Sequence, residues 1–185
     1  MSNRSIIFSP APYHIISYGT LLGTTFFHSF INGIVMIRVL PRPQFSAVQQ
    51  KLFPIYFSMQ TILPVALAVT WPGSSSSALA ATPAGVPGVL HESGRWAVLV
   101  PLGTILATAL LNLVVLLPAT TTCMAERRAQ EKKDGKRSWD PAPHSDEMIA
   151  LNKRFGKLHG ISSLLNMTTF IATVVYGFTL AKLIQ

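Results

Sequence analysis

Residues 96–118 read WAVLVPLGTILATALLNLVVLLP, 23 positions without a single Asp, Glu, Lys or Arg. A helix needs roughly 20 such residues to cross a hydrocarbon core of about 30 Å. Outward from this run, residues 13–37, 52–71 and 161–181 are equally free of those four residue types. In lipid only helices and closed barrels satisfy every backbone group, and runs this long and uniformly apolar do not read as barrel strands. The reading is an all-α, polytopic membrane protein: a bundle of four transmembrane helices forming a single domain over residues 1–185.

Composition agrees. The 185 residues are 49% hydrophobic and only 12% charged, with a mean hydropathy of +0.41, which leaves no room for a separate soluble domain. A net charge of +8 would ordinarily raise nucleic acid as a partner. Here the charge sits in short connections beside apolar runs, so nucleic acid is not expected. Arg38, Arg42 and Lys51 lie between the first and second spans. Arg127, Arg128, Lys132, Lys133, Lys136, Arg137, Lys153, Arg154 and Lys157 lie between the third and fourth. The other side holds only Arg4, Arg95 and Lys182. Because basic residues resist translocation, the richer side is expected to be cytosolic and both termini lumenal or exoplasmic. The first run is longer than a signal-peptide core of about 7–15 residues and no small-residue cleavage pattern follows, so it is expected to stay as an anchor. Asn3-Arg4-Ser5 is a formal glycosylation sequon, too near the membrane to be used.

The connections differ in character. Residues 72–95, rich in Ser, Ala, Pro and Gly, read as a flexible lumenal loop with little capacity to build core. Residues 119–157 read as a cytosolic helical hairpin extending the third and fourth spans. Gly135 and Asp140-Pro141-Ala142-Pro143 end its first arm. Ser145 offers an N-cap to the second, with Asp146 and Glu147 in the first turn. Pro10-Ala11-Pro12 is expected to delay the first helix until about Tyr13. Pro54 is expected in the first turn of the second span, and Pro64 to kink it. Gly19 and Gly23 form a small-xxx-small pair that admits a close neighbour and could support a homo-oligomer.

Two sets of polar residues could carry function. Arg42, Lys51, Thr120, Thr121, Arg154 and His159 fall near the cytosolic boundary, where they would bind an anionic lipid headgroup or a partner, or simply anchor the loops. His28, Asn32, Gln60, Asn112 and Asn166 fall inside the spans; His28 and Asn32 share a face at i, i+4. Such groups act either as interhelical hydrogen bonds or as a polar path, and an intramembrane histidine is a functional candidate by default. No span holds a carboxylate for ion coupling, which weighs against a driven transporter. Nucleophile elbow, HExxH and P-loop patterns are all missing, so no enzymatic activity is expected, and no cofactor or metal. The single cysteine, Cys123, rules out an intramolecular disulfide and reads as an inert small residue or an acylation site.

The run Leu40-Pro41-Arg42-Pro43-Gln44-Phe45-Ser46-Ala47-Val48-Gln49-Gln50-Lys51-Leu52-Phe53-Pro54-Ile55-Tyr56-Phe57 resembles the transmembrane-protein-205-like family, small four-helix membrane proteins found from fungi to mammals. Asn112, Pro118, Thr120, Thr121, Met124 and Glu131 follow the same trace, as do Arg154-Phe155, His159-Gly160, Ser162-Ser163-Leu164 and Asn166. The resemblance, that of a fungal member, covers roughly residues 13–181. It fails in the Ser-rich loop and in residues 132–144. It implies a multi-pass protein of the endoplasmic reticulum or another secretory-pathway membrane without established enzymatic activity; mammalian relatives have been connected with platinum-drug resistance. The expected function is that of an interaction or membrane-trafficking component, with a small transporter or channel subunit lined by the intramembrane polar set as the alternative.

Overall fold

Four helices long and apolar enough to cross a membrane make up the computed structural model, which describes residues 6–74 and 81–183. They are α1 (Pro10–Val39), α2 (Arg42–Val69), α3 (Glu92–Asp134) and α4 (Asp146–Ala181). Among the described residues there is no strand, only one antiparallel bridge between Ser74 and Thr82. The outside of the bundle is apolar on every helix: Ile15 and Phe27 on α1, Ile62 on α2, Val114 on α3, Leu164 and Phe178 on α4 are all well exposed. Water would penalise such a surface, whereas lipid solvates it at no cost. The chain is thus built as an all-α, multi-pass membrane bundle. The Asn3-Arg4-Ser5 sequon lies outside the described residues.

Helix boundaries follow local chemistry, with three departures from expectation. Pro10 and Pro12 do not delay α1; they occupy its first turn, where a missing N–H costs nothing. Pro54 is not in a first turn, because α2 begins at Arg42 and Pro54 and Pro64 both lie in its interior. Gly19 and Gly23 approach no neighbour, since a side chain added at either would meet open space. Two helices also carry wide π turns, at Phe27–Asn32 in α1 and at Arg95–Leu99 and Asn112–Leu116 in α3, and His28, Asn32 and Asn112 sit in them. Such turns relax the i→i−4 ladder and re-aim side chains.

Packing is uneven along the bundle. At the end bearing residues 72–95, Leu21, Leu67, Trp71, Val89, Val98, Leu102, Ile105, Ala172 and Tyr176 form one buried cluster. His14, buried among them, bonds Thr70 Oγ1 at 3.0 Å and Tyr176 Oη at 2.9 Å, tying α1 to α2 and α4. The expectation of a coreless loop at 72–95 fails over its described part. Trp71 Nε1 donates to Thr82 Oγ1 at 3.1 Å, Gly85 N donates to the Trp71 carbonyl at 2.7 Å, and the short helix Val86–Leu90 buries Val89. A Cβ on Gly88 would collide with the Pro83 carbonyl and Trp71, so only glycine fits there.

At the other end α3 and α4 continue past their apolar runs as an antiparallel pair. Gly135 stops α3 in the left-handed conformation at φ 63°, as a C′ glycine does. Ser145 caps α4 by accepting from Met148 N at 3.2 Å, and its hydroxyl donates to Asp134 at 2.7 Å. Cys123 is fully buried between the two arms with Sγ 3.7 Å from the Leu151 carbonyl, which removes it as an acylation site. Glu131, also buried, folds the linker back: it accepts from Ser138 N at 3.0 Å and pairs with Arg137 at 3.4 Å. Burial alone would raise this carboxyl. The Ser138 hydroxyl and N–H, with Arg137, outweigh that effect and hold it below its ordinary range.

Two predictions follow from this packing. Gly88→Ala should cost about 1–3 kcal/mol by overpacking, read as a lower melting temperature in detergent, whereas Gly103→Ala, which has open space around its Cβ, should leave it unchanged or raised. Glu131 has a depressed folded-state pKa, so its contribution is complete above the unfolded value and is lost as pH falls through the folded one. Glu131→Gln should therefore destabilise the hairpin at neutral pH by about 1–2 kcal/mol and flatten the acid side of a melting-temperature profile.

Candidate functional site

The two halves of the bundle part at the basic end, leaving a cleft of about 910 Å³. The connection between α1 and α2 and the extension of α3 and α4 meet across it: Arg128 Nη2 lies 3.5 Å from Ser46 Oγ. Both walls come from a helical stripe. On α2, Arg42, Ser46, Gln49 and Phe53 recur at helical spacing, and on α3, Thr120, Met124, Arg127 and Glu131 do the same; all eight line the cleft. The body between them is aromatic and aliphatic, with Phe30, Ile34, Ile37, Phe45, Leu117 and Met167 among its lining.

Four guanidinium groups stand around the outer part: Arg42, Arg127, Arg128 and Arg137. Arg137 pairs with Glu131. Arg127 donates to Asn152 Oδ1 at 3.0 Å and lies 4.5 Å over the Phe155 ring, whose other neighbour His159 stacks parallel at 6.0 Å. Among the described residues neither Arg42, Arg127 nor Arg128 has a carboxylate partner. The result is a positive rim over an apolar body, which attracts an anion attached to a hydrophobic group.

Of the boundary residues singled out from sequence, Arg42, Thr120, Thr121 and His159 line this cleft. Thr121 spends its hydroxyl on the Leu117 carbonyl at 2.8 Å. Lys51 and Arg154 do not line it. Lys51 is exposed elsewhere on α2, and Arg154 is committed to Glu126 at 2.7 Å, which joins α4 to α3. The intramembrane set does not form one cluster. His28 and Asn166 reach the cleft. Asn32 sits one turn along from His28 and bonds its Nδ1 at 3.1 Å, while the His28 ring lies 4.2 Å from that of Tyr56. Gln60 is fully buried, donating to Tyr56 Oη at 2.8 Å and Thr25 Oγ1 at 3.3 Å. Asn112, also fully buried, accepts from Ser162 Oγ at 2.7 Å.

Residues that the sequence reading left aside matter as much. Arg127 and Arg128 counted there only as topology signals, and Gln49, Phe155 and His14 carried no assignment. The recurring stripes on α2 and α3 were a legible signal for Gln49 and Arg127, because residues at i, i+4 and i+7 must share a wall. His14 had none; a lone histidine in an apolar run says nothing of the Tyr176 hydroxyl 162 positions away.

Comparison with known proteins adds a family. Residues 16–129 match the model for a domain of unknown function, DUF4149. The chain is 34% identical over 171 residues to the xanthocillin biosynthesis cluster protein D of Aspergillus fumigatus, covering 92% of this chain and 88% of that protein. No solved structure matches. The matched stretch runs through most of α1, all of α2 and most of α3, so it carries the α2 stripe and, on α3, Thr120, Met124 and Arg127, with Glu131 just beyond its end. The chain belongs to the DUF4149 family.

Proposed function

We propose that this protein is a non-enzymatic component of a secretory-pathway membrane, a member of the transmembrane-protein-205-like group within its family, whose cleft holds an amphiphile by its anionic head. The observation that carries this reading is the cleft itself: three arginines without carboxylate partners around a volume of about 910 Å³ with an apolar body. A point of negative charge satisfies the rim, and a hydrocarbon chain satisfies the body. The relative's name places that protein in a biosynthesis cluster, which is compatible with a membrane component that holds or hands on a lipid-soluble molecule rather than one that makes bonds. A partner protein that supplies or receives the amphiphile would dock on the same basic rim.

The alternative, a small transporter or channel subunit, has His28 and Asn166 in its favour, because both reach the inner part of the cleft. Beyond them, Gln60 and Asn112 are sealed at 0% exposure and tied to neighbours on other helices. Past those lies the His14 cluster. A dry, interdigitated far end favours holding over passage.

Two experiments test this. Purified protein in nanodiscs of mixed phosphatidylcholine and phosphatidic acid should retain the anionic lipid in native mass spectrometry, and Arg42→Ala with Arg128→Ala should reduce that retention roughly tenfold, about 1.4 kcal/mol. Equal retention by the double variant would refute an arginine-held head. On the proposed orientation, with the basic connections in the cytosol and both termini in the lumen, protease added to sealed microsomes should cut within residues 132–137 and spare tags on either terminus.

A further inference from the structure

The cleft has a seam between each pair of neighbouring helices, and three of the four are closed. Leu40 and Pro41 alone separate α1 from α2, and a Cβ on Gly33 would stand only 4.0 Å from Gln49 Nε2. Arg128 meets Ser46 between α2 and α3. Arg127 with Asn152, Arg154 with Glu126 and Cys123 with the Leu151 carbonyl close the seam between α3 and α4. The fourth seam is different. α1 meets α4 at Phe26 and Phe30 against Phe170, with the Phe30 and Phe170 rings 5.1 Å apart. Past that level, towards the basic end, no hydrogen bond, ion pair or ring contact joins the two helices among the described residues, and Gly33–Val39 bury no side chain.

A side chain that lines a cavity and also faces outward marks where the cavity opens. Ile34, Ile37 and Met167 line the cleft, yet they are 50%, 46% and 42% exposed. The opening between them lies at hydrocarbon depth, because residues 30–37 and 161–170 hold no Asp, Glu, Lys or Arg. Ile37 comes seven positions after Phe30, which makes the opening about 10 Å tall. Ser163 also lines the cleft from α4, and Gly160, one turn further, has open space where a side chain would stand. Water penalises an apolar opening of this kind, whereas lipid chains solvate it.

Building on the anionic head proposed above, we infer that the seam between α1 and α4 is a chain subsite. The head stands at the arginine rim, and the hydrocarbon chain crosses the apolar body and leaves between Ile34 and Met167 into the surrounding leaflet. The far part of the chain never quits the bilayer, so the site is loaded sideways from lipid rather than from water.

The test uses full-length protein in phosphatidylcholine nanodiscs and two phosphatidic acids. The dioleoyl form stays in the bilayer, and the dihexanoyl form reaches the rim through water. Ile34→Trp with Ser163→Trp fills the opening from both edges. Uptake of the dioleoyl form should then slow roughly tenfold, within the one to three decades by which variants of a single site shift association rates. The dihexanoyl form should bind at the wild-type rate. Slowing of both forms alike, or of neither, would overturn the subsite and leave the arginine rim standing. If the wild type binds neither form, the anionic-head reading falls as well. A second measurement needs no variant: phosphatidic acid with a diazirine midway along one chain should, on illumination, label residues 33–37 and 163–167 of the wild type. Excess dihexanoyl phosphatidic acid should suppress that labelling, which separates it from labelling by bulk lipid. Adducts confined to the α2 and α3 walls, or labelling that the competitor leaves unchanged, would refute a chain lying in the seam.

Discussion

The hydrogen bonds from His14 to Thr70 and Tyr176 close one end of the bundle, and the rest of the architecture depends on that closure. They join three of the four helices inside a cluster whose buried side chains are otherwise mostly apolar. In hydrocarbon, dispersion and interhelical hydrogen bonds replace the hydrophobic effect between helices. A polar knot among Trp71, Leu67 and Leu21 therefore fixes register where apolar packing alone would let helices slide. The segment from Thr82 to Leu90 sits over it, held by Trp71. With that end locked, the helices can diverge at the other without falling apart, and the cleft is the space this divergence leaves.

The open end is held by a different chemistry. Glu126 with Arg154 and Ser145 with Asp134 join the α3 and α4 extensions where water is available to the charged groups, and the buried Glu131 holds the linker through Ser138 and Arg137. Such pairs are individually weak when exposed. They work here beside the buried contacts of Cys123 and Met148, which provide the apolar seam. The cleft's two walls have different support: α3 and α4 brace each other through these pairs, the start of α2 meets them at Arg128 and Ser46, and α1 meets α4 through Phe26 and Phe30 against Phe170.

Much of this was written in the residues. Four charge-free runs announce four spans, because lipid admits no other solution. Gly135 and Ser145 mark the ends of the hairpin arms through rules local to a single turn, and His28 and Asn32 pair because i, i+4 fixes them on one face. What stayed hidden depends on several helices at once. Residues 72–95 look coreless by composition, yet a single indole N–H and a glycine at position 88 fold the described part onto the bundle. The intramembrane polar residues share depth but not partners: Gln60 turns to Tyr56 and Asn112 to Ser162, choices set by interhelical rotation. The cleft-lining half of the basic set was hidden for the same reason. Lys51 and Arg42 look alike in a list of charges, and only the stripe through Ser46 and Gln49 separates them.

The helices outrun the hydrocarbon at the basic end, and this has a mechanical meaning. Ser46 precedes the charge-free run of α2, which opens at Leu52, by six residues, so with α2 along the membrane normal the Arg128 level would stand about 9 Å outside an apolar slab bounded at Leu52. The phosphates of surrounding lipids lie only some 5 Å outside it, given about 40–45 Å for a whole bilayer around its 30 Å core. A head gripped by Arg128 would ride above its neighbours, its first few methylenes already drawn out of the leaflet. Under the proposed binding, part of the work of desorbing it would be done before any acceptor arrives, and the cleft would serve as a loading step for transfer as well as a berth.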